Sequence, residues 1–256
     1  MEVLTVATQA DDPSGKGGHL GVLEASCAAS GLALTVLGLG QVWKGFGMKL
    51  ILVANHLERV AADTLVLFVD AYDVVILGGC AQMSQRFLSF GTPIVFSAEL
   101  GCWPRGELAP RYPPPRPRGA RRMERRVRSF RPPPPLNLPQ RYLNSGSYMG
   151  YAGSIREAIQ ELSPHYEDDD QELFSRYYLE HPQRATLDHE SMLFQTLYGI
   201  SPDDLVFDLP GSWRPRYRRT GWDPCLLHGN GYGMDTFTEV LHRLRARGWP
   251  GSWSGP

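Results

Sequence analysis

The sequence is thin in the features that fix a compartment or a structural metal. Its four cysteines, Cys27, Cys80, Cys102 and Cys225, are scattered without a CxxC pair. A thiolate zinc site is therefore not expected, and the one or two disulfides that remain open do not decide the redox compartment. No stretch approaches the roughly 18 to 20 consecutive apolar residues of a membrane span, so none is expected. A net charge of −1 gives the molecule as a whole no attraction for nucleic acid or acidic lipid. No basic, then apolar, then small-residue signal segment is visible. Met1 runs directly into "EVLTVAT", the pattern of a cytosolic chain or of one whose true N-terminus lies elsewhere. There is no internal repeat.

What is present is ordinary globular composition, 42% apolar and 21% charged over 256 residues, enough for one large α/β domain or two small ones. Short apolar runs alternate with helical patterns. "VLTVAT" (3–8), "LALTVLGLG" (32–40), "TLVLFVD" (64–70) and "TPIVFSAE" (92–99) read as strands, whereas 19–31, 48–63 and 81–90 read as helices. The strands are continuously apolar rather than alternating, which predicts a mostly parallel sheet covered on both faces. From 141 a glycine-rich strand leads into a helix, 168–181 is helical with aspartates at its start, and 236–248 is a closing helix.

Between these halves lies a Pro/Arg-rich segment with ten arginines between Arg105 and Arg131. Proline clusters and like-charge repulsion predict an unpacked surface insertion over 105–140. Nucleic-acid binding through it is the sharper alternative, but Phe130 alone does not supply the aromatic interleaving that base stacking needs. Nucleic acid is not an expected partner.

The stretch "LVLFVDAYDVVILGG" (65–79) places Asp70 and Asp73 at the end of a strand. In an open α/β sheet ligands bind at that rim. Two carboxylates so close repel unless a cation neutralises them, and a hard divalent ion bridging to a diphosphate does so. Capping of the following helix accounts for the same spacing, and the spacing alone leaves both readings open.

The ordered series strand–DxxD, "FSAE…CWP", "RYLNSGSYMGYA", "DDDQELF", "LDHESMLFQTL" and "LHGNG" resembles the glycosyltransferase domain of the procollagen lysyl hydroxylase family, over roughly 3–100 and 141–233. The resemblance implies an α/β, GT-A-like (Rossmann-like) single domain over 1–248, interrupted at 105–140, with a tail at 249–256. It implies Mn²⁺ as cofactor and UDP-galactose or UDP-glucose as donor. The acceptor it implies is hydroxylysine or galactosyl-hydroxylysine in a collagen-like peptide, and the compartment the endoplasmic reticulum lumen. By resemblance Asp70, Asp73 and His228 are metal ligands, and Tyr72 contacts the uridine. Val6, Ala7 and Thr8 line the nucleotide site, and Gly231 to Gly233 turn beside the diphosphate. Trp43 and Lys49 belong to the donor side, Trp103 and Asn144 to the acceptor and sugar region, and Asp169 and Asp170 to an acidic run implicated in transfer. Asp168 to Asp170 could equally serve only to start a helix. Asp188 and His189 tempt a catalytic dyad, but adjacent residues on a strand point to opposite faces, and they read as structural or substrate-supporting. The loop between Trp43 and Lys49 is shorter than the family's, and no HxD…H iron triad is evident, so hydroxylation is not expected. A non-catalytic nucleotide-sugar-binding or scaffolding domain of the same fold is the alternative function.

Overall fold

The computed structural model describes residues 1–12, 18–115, 140–208 and 211–251. Strand β1 (Glu2–Val6), helix α1 (Leu20–Ala29), β2 (Leu34–Leu37), α2 (Gly47–Leu57), β3 (Leu65–Val69), β4 (Val74–Ile76), α3 (Cys80–Phe90) and β5 (Ile94–Glu99) form the first half. The second half holds β6 (Tyr142–Tyr151), α4 (Ala152–Leu162), α5 (Asp170–Glu180), β7 (Ala185–Asp188), β8 (Phe194–Thr196), β9 (Leu205–Val206), β10 (Arg216–Tyr217), β11 (Leu226–His228) and α6 (Met234–Ala246). Helix α1 starts where expected because His19 accepts a hydrogen bond from the Gly21 N–H, and it stops at Gly31, whose φ of +66° suits a residue without Cβ.

The main sheet has the order β2-β1-β3-β6-β5-β7. All its strands share one direction except β6, which runs antiparallel between β3 and β5. Side chains alternate between two cores. Leu4, Val66, Phe68, Ile94 and Phe96 face α2, α4 and α5, whereas Val3, Leu67, Val69 and Val95 face α1, α3 and the small sheet β4-β11-β8. A third core packs α6 on the outer side of that small sheet through Phe237, Val240 and Leu244. The sheet is covered on both faces, as its unbroken apolar strands require.

The reversed strand shapes the carboxyl rim. Because β6 begins where β3 and β5 end, its first residues arrive at that rim without a loop. Its ladder with β5 is also interrupted. Phe96 pairs with Tyr148, but Ser97 pairs with Asn144 rather than Ser147, leaving Ser145 to Ser147 bulged toward β3. The carbonyl of Gly146 then accepts the Asp70 N–H at 2.8 Å. A bulge of this kind re-aims side chains at a sheet rim.

Two expectations need correction. The expectation of an unpacked segment does not hold at 106–112. Gly106–Arg111 is a short 3₁₀ turn, and Tyr112 is fully buried among Tyr142 and Tyr178. An aromatic side chain that fills a core gap holds its segment in place despite the prolines around it. The remainder, 116–139, lies outside the described residues. The disulfides left open by the cysteine count do not form, since all four thiols are free and two are buried.

Below the rim, Phe68, Tyr148, Phe96 and Phe174 make a continuous aromatic cluster with ring centroids 4.8–5.5 Å apart. Phe174 fastens α5 to the sheet. Replacing it with Ala is expected to cost about 3–5 kcal/mol in urea unfolding, well above any exposed residue of the same helix.

Candidate active site

Asp70 directly follows β3 and Asp73 directly precedes β4, so a tight turn holds both at the rim. The pairing of β4 with β11 sets Val74 opposite His228, and the Gly229 N–H bonds the Asp73 carbonyl at 2.7 Å. Residues more than 150 positions apart in sequence are thereby fixed side by side. His228 Nε2 lies 3.3 Å from Asp73 Oδ2 and 3.7 Å from Asp70 Oδ2. One ligand atom from each of the three falls within 4.8 Å of the others.

The orientation of the imidazole follows from a chain of hydrogen bonds. The Gly146 N–H donates to Asn144 Oδ1 at 3.1 Å, while Asn144 Nδ2 donates to Glu99 Oε1 at 3.3 Å. These partners define the Asn144 oxygen as the acceptor. His228 Nδ1, 3.1 Å from that oxygen, must donate to it, which leaves Nε2 aimed at the carboxylates. Such a partner fixes the ring of a metal-ligating histidine. Burial alone would hold the His228 pKa down, but Asp73, Asp70 and Glu99 raise it.

A second charge cluster adjoins the first. Buried Lys49, on the first turn of α2, donates to Asp70 Oδ1 at 3.0 Å and stands 2.8 Å from Asp170 Oδ2. Burial opposes ionisation of Asp70, yet Lys49 and His228 together lower its pKa. Burial, reinforced by the charge of Asp70, raises that of Asp170 despite Lys49. The adjacent aspartates divide two tasks. Asp169 caps α5, its Oδ1 accepting the Glu172 N–H at 2.8 Å, and Asp170, one turn before Phe174, is carried inward to Lys49. The acidic run thus starts a helix through one residue and charges the cavity through the next.

These groups line one cavity of about 760 Å³ together with Val6, Trp43, Tyr72, Trp103, Asn144 and Gly231. Three expected nucleotide-site residues do not reach its wall. Ala7 is packed in the core with its N–H bonded to Leu37, Thr8 lies beside the Tyr72 phenol, and Gly233 is buried at the start of α6. Of the two readings of Asp188, the structure carries the structural one: its carboxylate accepts the N–H groups of Met192, Leu193 and Phe194. The cavity also contains residues that sequence reading passed over: Glu99, Gln171, Tyr198, Asn230 and Tyr232. Glu99 ends β5 just as Asp70 follows β3, and that shared position was the available signal. Burial pushes its carboxyl up to about 7 against amide donors from Asn144, Gln171 and Asn230.

An α/β sheet whose carboxyl rim gathers acids, an imidazole and a lysine over a deep cavity has the form of a phosphate-and-metal binding enzyme domain. The family model described as "PLOD GT domain" matches residues 1–124 and 131–246, and the chain belongs to that family. It is 31% identical over 245 residues to the human multifunctional procollagen lysine hydroxylase and glycosyltransferase LH3, covering 90% of this chain and 29% of that protein. A Caenorhabditis elegans multifunctional procollagen lysine hydroxylase and glycosyltransferase is 31% identical over 248 residues, 90% of this chain and 30% of the relative. The mouse procollagen-lysine,2-oxoglutarate 5-dioxygenase 2 is 29% identical over 98% of this chain and 32% of its own length. The chain thus spans about a third of the relatives it matches. Among solved structures, mouse xyloside xylosyltransferase 1 in its apo form aligns at 15% identity with a TM-score of 0.46, covering 91% of this chain and 98% of that one.

The geometry around Gly146 and Glu99 can be tested directly. A Cβ on Gly146 would stand 2.5 Å from Asp70 Oδ2 and inside the His228 ring edge. Gly146→Ala should lower the affinity for an added divalent cation by about tenfold or more, as ligand-supporting changes do, with little change in far-UV circular dichroism. For Glu99, the folded pKa of about 7 exceeds its ordinary 4.5. Between these values the unfolded chain has released the proton that the fold retains, so Glu99 subtracts stability as pH rises through this window. The melting temperature of Glu99→Gln relative to the parent should therefore climb from pH 5 to pH 8.

Proposed function

We propose that this chain is a metal-dependent glycosyltransferase that moves galactose or glucose from a UDP-sugar to hydroxylysine or galactosyl-hydroxylysine of a collagen-like acceptor. Membership of the family supports the reaction class. The observation that carries the reading is the convergence of Asp70, Asp73 and His228 on one point of the cavity wall. Their chemistry suits Mn²⁺: two hard carboxylates and one imidazole whose Nε2 is turned inward by Asn144. When bound there, the ion supplies Lewis acidity to the departing diphosphate.

The chain's own residues do the rest. Lys49 adds positive charge beside Asp70, where a leaving group accumulates negative charge. Tyr72 is braced by its hydroxyl donating to the Gln9 carbonyl at 3.0 Å and presents its ring to the nucleotide side of the cavity. Asp170, with its pKa raised, is suited to hold a proton at its carboxyl near the transfer point, whereas Asp169 keeps one oxygen on the α5 N-terminus. Trp103, 56% exposed on the wall, bounds the acceptor side. Collagen-like acceptors imply the endoplasmic reticulum lumen as the site of action. No helix among the described residues is long and apolar enough to cross a membrane.

The test is release of UDP from UDP-galactose and UDP-glucose with collagen-like peptides, with and without Mn²⁺. Asp70→Ala is expected to lower turnover by about a hundredfold or more at saturating Mn²⁺, on the scale of losing a major electrostatic contributor; near-normal turnover would remove the proposed centre. Asp169→Ala is expected to cost about 1 kcal/mol of stability through its lost cap. Binding of UDP without turnover on any peptide would favour the non-catalytic alternative.

A further inference from the structure

Tyr232 is the most exposed large hydrophobic residue among those described, at 87%, and it stands on the wall of the active-site cavity. Its exposure is not the looseness of a loop tip. Gly231 adopts φ +60°, the Gly233 N–H bonds the Asn230 carbonyl at 2.9 Å, and a Cβ on Gly233 would strike backbone atoms of Leu197, Tyr198 and Asn230. Asn230 ties this turn down. Its Oδ1 accepts the N–H groups of Leu197 and Tyr198, both at 3.0 Å, and its Nδ2 donates to Glu99 at 2.9 Å. The Leu197 N–H also bonds the carbonyl of His228 at 2.9 Å. Tyr198 and Tyr232 are therefore fixed relative to His228, with ring centroids 6.2 Å apart and planes at 48°. The two rings are tilted rather than stacked on one another, and both residues line the cavity.

The flank on which the pair lies identifies its occupant. Val6, Trp43 and Tyr72 belong to the β1 and β2 side of the sheet, where Tyr72 is tied to Gln9. Tyr198 lies on the other side. It follows β8, whose Thr196 hydroxyl donates to the Ala98 carbonyl of β5 at 2.9 Å, and Trp103 follows β5 as well. Asp70, Asp73 and His228 line the same cavity as both groups. Polar side chains share the aromatic flank: Glu99, Gln171 and Asn230 all reach the cavity. Aromatic faces accept the polarised C–H groups of a pyranose, while amides and a carboxylate meet its hydroxyls. A bare alkylamine side chain has no such face to offer.

We propose that Tyr198 and Tyr232 form the platform on which the sugar of a glycosylated acceptor packs, making them specificity-determining residues for galactosyl-hydroxylysine over hydroxylysine. The assignment rests on the glycosyltransferase reading and deepens it.

The decisive measurement is calorimetric binding of a galactosyl-hydroxylysine collagen-like peptide to the full chain loaded with UDP and Mn²⁺, beside the same peptide carrying bare hydroxylysine. Tyr232→Ala and Tyr198→Ala should each weaken the galactosylated peptide by about tenfold, a loss in line with one aromatic contact. Tyr232→Phe and Tyr232→Trp should restore it, and UDP affinity should stay within about twofold in Tyr198→Ala. In turnover the Ala variants should raise the acceptor KM with little change in kcat. Unchanged glycopeptide affinity, equal loss for both peptides, or loss of UDP affinity instead would overturn the platform. A parent protein that binds the galactosylated peptide through these tyrosines yet releases no UDP would sink the enzymatic reading and leave the platform standing.

Discussion

Acidic side chains converge at the ends of β3 and β5. Asp70, Asp73 and Asp170 meet there, with Glu99 behind them, and Lys49 is the buried cation placed among them. Lys49 and His228 outweigh burial and lower the Asp70 pKa, whereas burial, with the charge of Asp70, raises that of Asp170 despite Lys49. Carboxylates held this close are an electrostatic strain that solvent relieves poorly once buried. The proposed cation site rests on this convergence of Asp70, Asp73 and His228 at one point of the rim.

That organisation is mostly backbone. The β4–β11 pairing carries His228 to Asp73, and the bulge in β6 carries Asn144 and Gly146 to His228. The amide of Asn144 then transmits an orientation: a backbone N–H on one side fixes the oxygen, and the oxygen fixes the ring proton. Gln171 extends the same network outward, accepting the Ser145 N–H and donating to Glu99 and to the Trp103 carbonyl. A wall aromatic and the imidazole of His228 thus share one hydrogen-bonded frame, in which each polar group is held from two directions.

Much of this was legible because burial leaves marks on sequence. The apolar run before Asp70 identified a core strand, and a carboxylate at its end could only lie at the rim. The continuous apolar strands foretold a sheet covered on both sides. The direction of β6 was not legible, since a strand buried on both faces reads the same in either sense. Nor was its bulge, which depends on which residue of β5 each residue opposes. Asp169 and Asp170 could be told apart only once Phe174 set the phase of the helix. Trp43 and Lys49 came from family likeness, not from any local pattern. Tyr112 was missed because its proline-rich surroundings outweighed a single aromatic, and Tyr232 because attention in the turn beside the diphosphate went to the glycines on either side of it.

The reversal of β6 also governs how this architecture accommodates added chain. Glu99 and Tyr142 are paired neighbours, so the segment between them leaves the sheet and returns to it at the same edge. Its two anchor points stay a strand-width apart whatever lies between, and closure entropy grows only logarithmically with the residues spanned. The Arg- and Pro-rich stretch can therefore lengthen or shorten over generations at little thermodynamic penalty to the framework. Both ends of that excursion are rooted beside the cavity, at Trp103 and Asn144, so its length can change without displacing the residues that line the site.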